Sequence, residues 1–148
     1  RGFFNTRGYF DLDQISPADY RAGALARDGR KATRVWLDAS HLLDPAAPDE
    51  APKLTPDGRR RLDAALGPYL DRIASGILVV EGYAPSGSAD QQFVASRARA
   101  FVVREYLFER FHLDQRSTGV MPLSGGPSEG APSQPWSGVA LTFYFKSK

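Results

Sequence analysis

Residues 77–107 read ILVVEGYAPSGSADQQFVASRARAFVVREYL, and this stretch decides the fold. It opens on an apolar run, 77–80, which is too short for a helix and rich in β-branched side chains. Such a run predicts a strand buried on both faces. Residues 82–88 have the composition of a loop, and from 89 to 111 the apolar residues recur with helical period. A buried strand, a loop and a long returning helix form the core of an α/β fold.

Composition limits the classes of function. The chain has 148 residues, of which 42% are hydrophobic and 24% charged, as expected for one globular domain. The formal net charge of +2 is too small for bulk nucleic-acid binding, so no nucleic-acid partner is expected. The chain has no cysteine, which excludes disulfides, thiol catalysis and thiolate metal sites. His41 and His112 lack any metal-binding spacing, so neither a metal nor a cofactor is expected.

Membrane insertion is not predicted within the chain. No run approaches the roughly 18 apolar residues of a membrane span. Because the chain begins at Arg1, in ordinary sequence, we expect it to be a fragment of a longer protein with its membrane anchor upstream. The absence of cysteine fits the cytoplasm and an envelope compartment equally well.

An arm and a helix are predicted at the N-terminus. Residues 1–14 alternate aromatic and polar side chains and predict a short strand or an extended arm. Ser16 and Pro17 are a strong helix start, because they supply a capping hydroxyl and a proline at the first helical position. This helix should run to about Arg27.

Two further elements precede the central strand. Residues 33–39 alternate with period two and predict the first core strand. Residues 44–54 contain three prolines and no periodicity, and they predict a surface loop. Thr55, as a cap before a proline, starts a second helix that should end near 75–76.

The C-terminal part adds the remaining strands. Residues 118–123 predict a short strand or an extended piece, 124–137 a Gly/Pro/Ser-rich loop, and 139–146 a final alternating strand. The predicted fold is therefore α/β, a mixed sheet of about four strands covered by two long helices. An N-terminal arm and helix (1–32) precede the main domain (33–148), and together they form one compact unit.

The long helix carries two apolar faces on a helical wheel. The broad face should cover the sheet and collects Phe93, Ala95, Ser96, Ala100, Val102, Val103, Tyr106, Leu107 and Phe111. A narrower apolar stripe at heptad spacing consists of Val94, Phe101 and Phe108. Either the N-terminal arm folds over this stripe, or the stripe is an interface for self-association or an envelope-protein partner. Arg99 falls within the broad face, where its guanidinium must reach the rim or meet a charged partner.

Four segments, taken in order, carry a family resemblance: 54–58 (LTPDG), 62–70, 79–83 (VVEGY) and 96–100 (SRARA). They resemble the helix start, the helix, the central strand and the following helix of the OmpA C-terminal, peptidoglycan-associated domain. The match covers about residues 33–145. It implies an OmpA-like fold and a location in the periplasm or cell envelope.

The OmpA-like resemblance also implies a ligand site. The family binds the diaminopimelate of peptidoglycan through an Asp just after the central strand and an Arg on the following helix. The Arg position matches Arg99, whereas the Asp position falls on Pro85. The basic pair before the family's last strand falls on residues 137–138. The acid that would meet the ligand's ammonium is thus absent, which implies a largely dismantled site.

Segments along the whole chain resemble a second family: GYFDLD, YRAG, RVWLDA, RLDAAL, LVVEGYA, SRARA, VREYL, MPL and WSGVAL. They are similar to the region that follows the Mce (MlaD-type) domain in some bacterial lipid-transport proteins. Those proteins are membrane-anchored envelope components that work with an ABC transporter. This resemblance implies a cellular context and no ligand motif.

Few other residues suggest a site. Residues 82–88 follow a strand and open a helix, so their backbone amides, with Ser86 and Ser88, are candidates to hold an anion. The loop has neither the Walker spacing nor GxGxxG, and a plain connection is the alternative. Three acidic side chains of the 44–54 loop are expected to be solvated: Asp44, Asp49 and Glu50.

Three functions follow from these patterns. The leading hypothesis is a non-catalytic cell-envelope accessory domain of a membrane-anchored Mce/MlaD-like lipid-transport protein, acting in assembly or positioning. The alternative is a peptidoglycan-binding OmpA-like module with an altered site centred on Arg99. An enzyme or small-ligand binder at residues 84–88 is the third. The first two place the protein in the periplasm or cell envelope, tethered to a membrane, with the cell wall, envelope proteins or itself as partner.

Overall fold

One mixed β-sheet organises the structure. The computed structural model describes residues 15–26, 30–126 and 130–145. Within these residues the strands are β1 (Lys31–Asp38), β2 (Ile77–Tyr83), β3 (Thr118–Pro122) and β4 (Gly138–Phe145). They form a single four-stranded sheet in the order β1-β4-β2-β3.

Five α-helices lie in the described part of the chain. They are α1 (Pro17–Arg21), α2 (Ala39–Leu42), α3 (Pro56–Leu66), α4 (Leu70–Ile73) and α5 (Ala89–Phe111). Short 3-10 turns occupy Ala24–Ala26, Gly67–Tyr69 and Gln115–Ser117. The predicted α/β fold, a mixed sheet with helices packed on it, is confirmed.

The pairing of the strands follows from the connections between them. β4 runs antiparallel to both β1 and β2, and β2 runs parallel to β3. A parallel pair needs a long crossover, and α5 provides it between β2 and β3. Every residue of β2 is buried, as its unbroken apolar run predicted.

Two hydrophobic clusters pack on opposite faces of the sheet, because successive side chains of a strand alternate between its faces. The first cluster packs against α3 and α5 and includes Leu62, Leu66, Leu78, Val80, Val103, Leu107, Leu141 and Phe143. The second cluster contains the N-terminal segment and includes Ile15, Tyr20, Leu25, Val79, Met121, Leu123, Trp136 and Tyr144. Helical elements therefore cover both faces.

The N-terminal helix is shorter than its pattern predicted. Ser16 caps α1 as expected, accepting a hydrogen bond from the backbone N–H of Asp19 at 3.1 Å. The prediction that the helix continues to about Arg27 is wrong, because α1 ends at Arg21. Gly23, with φ of +90°, turns the chain after it. The predicted arm, 1–14, lies outside the described residues.

The second helix also differs from its prediction. Thr55 caps α3, its side chain accepting from the N–H of Gly58 at 2.9 Å. A single helix to 75–76 is wrong, since the chain passes through the 3-10 turn at 67–69 before α4 resumes. Gly and Pro are both poor helix formers, and they stand together at this break.

A buried charged network ties the N-terminal segment to the sheet. Glu81 on β2 has no exposed surface. Its carboxylate accepts from Arg34 Nη2 at 2.9 Å, from the hydroxyl of Tyr20 at 2.5 Å and from that of Tyr83 at 2.8 Å. The hydroxyl of Tyr144 donates to that of Tyr20 at 2.9 Å. These hydrogen bonds satisfy a carboxylate that would otherwise be costly to bury.

Candidate ligand-binding cleft

The loop between β2 and α5 is fixed at the start of the helix. Ser88 caps α5, its hydroxyl accepting from the N–H of Gln91 at 3.2 Å. The Gln91 side chain accepts from the N–H of Ser88 at 2.8 Å, which completes a capping box. Gln92 donates to the carbonyls of Pro85 and Gly87, both at 3.1 Å. The loop is therefore held in one shape without a ligand.

Close packing of β2 against α5 sets the height of the helix above the sheet. A Cβ added to Gly82 would lie 1.9 Å from the carbonyl oxygen of Ser96, so only glycine fits there. The Ser96 hydroxyl accepts from the N–H of Ser124 at 3.1 Å. The carbonyl of Ser124 accepts in turn from the N–H of Ala84 at 2.7 Å. The end of β2, the helix and the loop after β3 are thereby locked together.

Arg99 lies one turn further along α5 and reaches the end of the sheet. Its Nη1 donates to the carbonyl of Tyr83 at 2.7 Å and to the hydroxyl of Ser137 at 2.9 Å. Of the two outcomes expected for a guanidinium on the apolar face, the side chain takes the first and reaches the rim. No ion pair between described residues involves Arg99.

A cleft of about 490 Å³ opens beside this guanidinium, within the roughly 300–1,000 Å³ of small-ligand sites. Its walls come from the 44–54 loop, the β2–α5 loop and the first turns of α5. They are lined by Asp49, Glu50, Ala84, Pro85, Ser86, Gly87, Asp90, Gln91, Val94, Ala95, Arg99 and Ser137. A second, smaller cleft of about 200 Å³ adjoins it, and Asp49 and Arg99 line both.

The acidic residues of the 44–54 loop are exposed, as expected, and they also line the two clefts. Asp49 and Glu50 line the cleft together with Arg99, although both are exposed. The sequence gives no sign of this approach, because the loop precedes Arg99 by about fifty residues and has no periodicity. Asp44 lines the smaller cleft, and its carboxylate accepts from the N–H of Ala46 at 2.9 Å. The acid of the family pattern is thus absent at Pro85, while carboxylates of another loop line the same cleft.

Electrostatics around Arg99 reflect these neighbours. Burial lowers the pKa of the Arg99 guanidinium, while the negative charges of Asp49 and Asp38 act in the opposite direction. The pKa of Asp38 is lowered, first by the backbone N–H of Ser40 and, more weakly, by Arg99. An arginine keeps its positive charge under all ordinary conditions. The cleft thus combines one fixed cation with nearby carboxylates.

The other residues that sequence patterns singled out have different roles. Ser86 lines the cleft from an exposed loop position. Ser88 is not among the lining residues, and its hydroxyl caps the helix instead. At the position of the family's basic pair, Ser137 contacts Arg99. Gly138 has φ of +149°, and a Cβ there would lie 2.2 Å from the Leu37 carbonyl. A basic side chain is therefore excluded at Gly138.

The apolar stripe of α5 is partly exposed. Val94 and Phe101 each keep 50% of their surface exposed, and Val94 also borders the cleft. Phe108 is half-buried, with the Arg104 guanidinium 4.7 Å from its ring centre. Phe93, which was expected to face the sheet, is 44% exposed, so that part of the broad face is wrong. Ser96 takes the buried position at this end of the helix.

The described residues contain neither a metal-binding cluster of side chains nor a membrane-spanning helix. Among residues 15–26, 30–126 and 130–145, no cluster of three or more histidine or acidic side chains is placed to hold a metal ion. None of the helices in the same ranges is both long enough and apolar enough to cross a membrane.

Solved structures with the same arrangement include a periplasmic domain, a cell wall anchor and an OmpA-like domain. The periplasmic domain of Helicobacter pylori MotB matches with a TM-score of 0.57 and 10% identity, over 80% of this chain and 84% of that one. The cell wall anchor of the T6SS from Pseudomonas aeruginosa matches with a TM-score of 0.54 and 14% identity, over 90% and 99%. The OmpA-like domain of FopA1 from Francisella tularensis matches at 0.52 and 14%, over 85% and 89%.

The chain is thus an α/β domain of the OmpA-like fold, as the four short motifs predicted. At identities of 10–14%, these matches show the fold alone, and the function must be argued from the residues of the site. No protein-family model matches the chain, and no curated protein matches it. The resemblance to the region that follows the Mce domain receives no support from these comparisons.

Proposed function

We propose that this chain is a non-catalytic, peptidoglycan-binding module of OmpA-like fold whose ligand site is the cleft beside Arg99. The observation that carries the proposal is the position of Arg99. It stands on the helix after the central strand, where the OmpA-like pattern has its ligand-binding arginine, and it lines an open cleft of about 490 Å³.

The surroundings of Arg99 support this role. Its Nη1 is held by the Tyr83 carbonyl and the Ser137 hydroxyl, so the guanidinium is oriented before a ligand arrives. Planar guanidinium groups bind carboxylates through two parallel hydrogen bonds. A carboxylate of a peptidoglycan stem peptide is a fitting partner for such a group.

The names of similar structures agree with a wall-facing location. One is a cell wall anchor and another a periplasmic domain, and both share this fold. By extension from them, we place this chain in the periplasm or cell envelope, as part of a membrane-tethered protein. An Mce/MlaD-like lipid-transport context, the leading hypothesis from sequence, rests on short segments alone and is not part of the proposal.

Co-sedimentation with purified sacculi tests wall binding. We expect the wild-type chain to sediment with sacculi. Arg99→Ala should bind sacculi at least roughly tenfold more weakly, because the charge that meets the carboxylate is removed. Arg97→Ala is the matched control. Arg97 is exposed on the same helix and does not line the cleft, so this variant should bind normally.

A second variant separates binding from folding. Ser86→Trp adds bulk at an exposed loop position in the cleft wall and leaves the hydrogen bonds of Arg99 in place. We expect it to lose sacculus binding while its melting temperature stays near that of the wild type. The proposal is wrong if the wild type remains in the supernatant, or if Arg99→Ala and Ser86→Trp both sediment like the wild type.

The apolar stripe supports a further role in assembly, which stays a proposal. Half-exposed Val94 and Phe101 are unusual on a helix that otherwise covers a sheet. If the stripe joins two copies, light scattering should show a concentration-dependent increase in mass that Phe101→Asp abolishes. Glu109→Gln, at an exposed position of the same helix, is the control.

A further inference from the structure

The carboxylates of the cleft come from an unexpected part of the chain. Pro85 occupies the position where the OmpA-like pattern has its acid, and it lines the cleft without a charge. Asp49 and Glu50 reach the same cleft from the loop between α2 and α3. Asp90 lies at its edge, in the first turn of α5. Positive and negative groups therefore face one space, from different elements.

We infer that Asp49, assisted by Glu50, takes over the role of the missing acid and receives the ammonium of a zwitterionic amino-acid end whose carboxylate binds Arg99. This inference rests on the proposed function and adds to it the group that recognises the ammonium. The ligand class is an amino acid with a free ammonium and a free carboxylate on one carbon, as at the free end of diaminopimelate.

Backbone hydrogen bonds fix the shape of the 44–54 loop, which carries Asp49 and Glu50. The N–H of Ala51 donates to the carbonyl of Pro48 at 3.1 Å, so Asp49 and Glu50 are the two central residues of a β-turn. At the base of the loop, the N–H of Asp44 donates to the carbonyl of Lys53 at 2.9 Å, and Leu43 pairs with Leu54. Prolines at three positions stiffen the segment further. A preorganised loop loses little entropy when a ligand binds.

The opposite charges of Asp49 and Arg99 line the same space without forming an ion pair. Asp49 and Arg99 border both clefts, and the charge of Asp49 acts on the guanidinium. Even so, no carboxylate of the described residues makes an ion pair with Arg99 within 4.0 Å. Direct pairing would have neutralised both groups. The gap leaves each of them free to meet the complementary end of a zwitterion.

Titration calorimetry with free meso-diaminopimelate and with pimelate tests the assignment. Pimelate has both carboxylates and neither amino group, so it can use Arg99 but gains nothing from Asp49. We expect Asp49→Asn to weaken diaminopimelate binding on the order of tenfold. The same variant should bind pimelate as well as the wild type does, or better, because a repelling charge has gone. Asp71→Asn, an exposed change on α4 outside the cleft, is the charge-matched control.

A rescue variant makes the test specific. In the Asp49→Asn background, Pro85→Asp restores an acid at the position of the family pattern, and we expect it to recover most of the lost affinity. Sacculus co-sedimentation of the same variants gives a second readout on the natural polymer. A merely structural role of Asp49 would not be rescued from Pro85, because the two residues lie on different loops.

The outcomes separate this inference from the proposed function. If Asp49→Asn combined with Glu50→Gln binds diaminopimelate and sacculi like the wild type, while Arg99→Ala does not, the inference is overturned and the wall-binding function stands. If the wild type binds neither diaminopimelate nor sacculi, both are overturned. Loss of binding in Asp49→Asn with recovery by Pro85→Asp supports both.

Discussion

Glu81 is the residue on which the packing of the N-terminal segment depends most. Its carboxylate is fully buried and accepts hydrogen bonds from Arg34, Tyr20 and Tyr83. Removing the carboxylate of such a group takes a partner from each buried donor, which costs more than the group contributes in net stability. The network therefore fixes where α1 sits on the sheet, whatever its net contribution to stability.

Glu81→Ala should lower the free energy of unfolding by about 3 kcal/mol, because it removes the buried carboxylate that pairs with the Arg34 guanidinium and accepts from two hydroxyls. Urea denaturation followed by circular dichroism measures this change. Glu109→Ala, an exposed substitution on α5, should stay within about 0.5 kcal/mol of the wild type. Equal stabilities of the two variants would contradict the importance assigned to the network.

The tyrosines of this network make the fold sensitive to alkali. Burial, then the nearby charge of Glu81, raises the pKa of Tyr20, and burial raises the pKa of Tyr144. An unfolded tyrosine ionises near pH 10. The stability gained from a raised folded-state pKa is complete below that pH, and it is lost as the pH rises towards the folded-state pKa.

We expect the free energy of unfolding to fall steeply above about pH 10, and Tyr20→Phe to make that fall shallower. Urea denaturation at several alkaline pH values measures both slopes. Tyr69→Phe is the control, because Tyr69 packs on the other face of the sheet. A Tyr20→Phe profile parallel to that of the wild type would refute the prediction.

At the scale of elements, the contact between β2 and α5 is the tightest in the site. Gly82→Ala would place a methyl group 1.9 Å from the Ser96 carbonyl, so the helix must move away from the strand. We expect a loss of about 3 kcal/mol of stability, as for other overpacked positions. Differential scanning calorimetry of the variant and the wild type measures it.

Gly67→Ala is the matched control for this contact. A Cβ at Gly67 meets nothing within 4 Å, and the residue has helical φ and ψ. Alanine there should change the stability by less than about 1 kcal/mol, because the reduced freedom of the unfolded chain is offset by the poor fit of a Cβ in helical backbone before Pro68. A similar loss in both variants would mean that close packing at Gly82 is not the cause.

The sequence predicts an element well when the pattern that forms it is local, and poorly when distant segments decide it. The bounds of α5 were predicted because the helical period of its apolar residues is a local signal. The early end of α1 was not predicted. It results from a turn at Gly23 that buries Leu25, and tertiary packing decides this turn. Phe93 was assigned to the sheet side because a wheel ignores the loop after β3, which packs against Ser96 instead.

The same distinction applies to the site. The place of Arg99 on the helix after the central strand could be predicted, because that helix belongs to a local strand–loop–helix motif. The approach of Asp49 and Glu50 could not, because it depends on how a Pro-rich loop is closed by Leu43 and Leu54 and carried over the end of the sheet. Likewise, the burial of Glu81 depends on the antiparallel neighbour that brings Tyr144 and on the segment that brings Tyr20.

At the scale of the whole molecule, the two faces of the sheet carry different tasks. On one face, the Glu81 network anchors the N-terminal segment. On the other, α5 and the 44–54 loop meet at the end of the strands and enclose the cleft around Arg99. Arg99 stands where the OmpA-like pattern has its arginine, and carboxylates of the 44–54 loop line the same cleft.

Mapping of amide chemical shifts by NMR during titration with meso-diaminopimelate tests wall-ligand binding at this cleft most directly. We predict saturable shifts that cluster at residues 49–50, 84, 86–87 and 99, and that disappear in Arg99→Ala. Absence of any shift, or shifts confined to the apolar stripe around Phe101, would contradict a ligand site at Arg99.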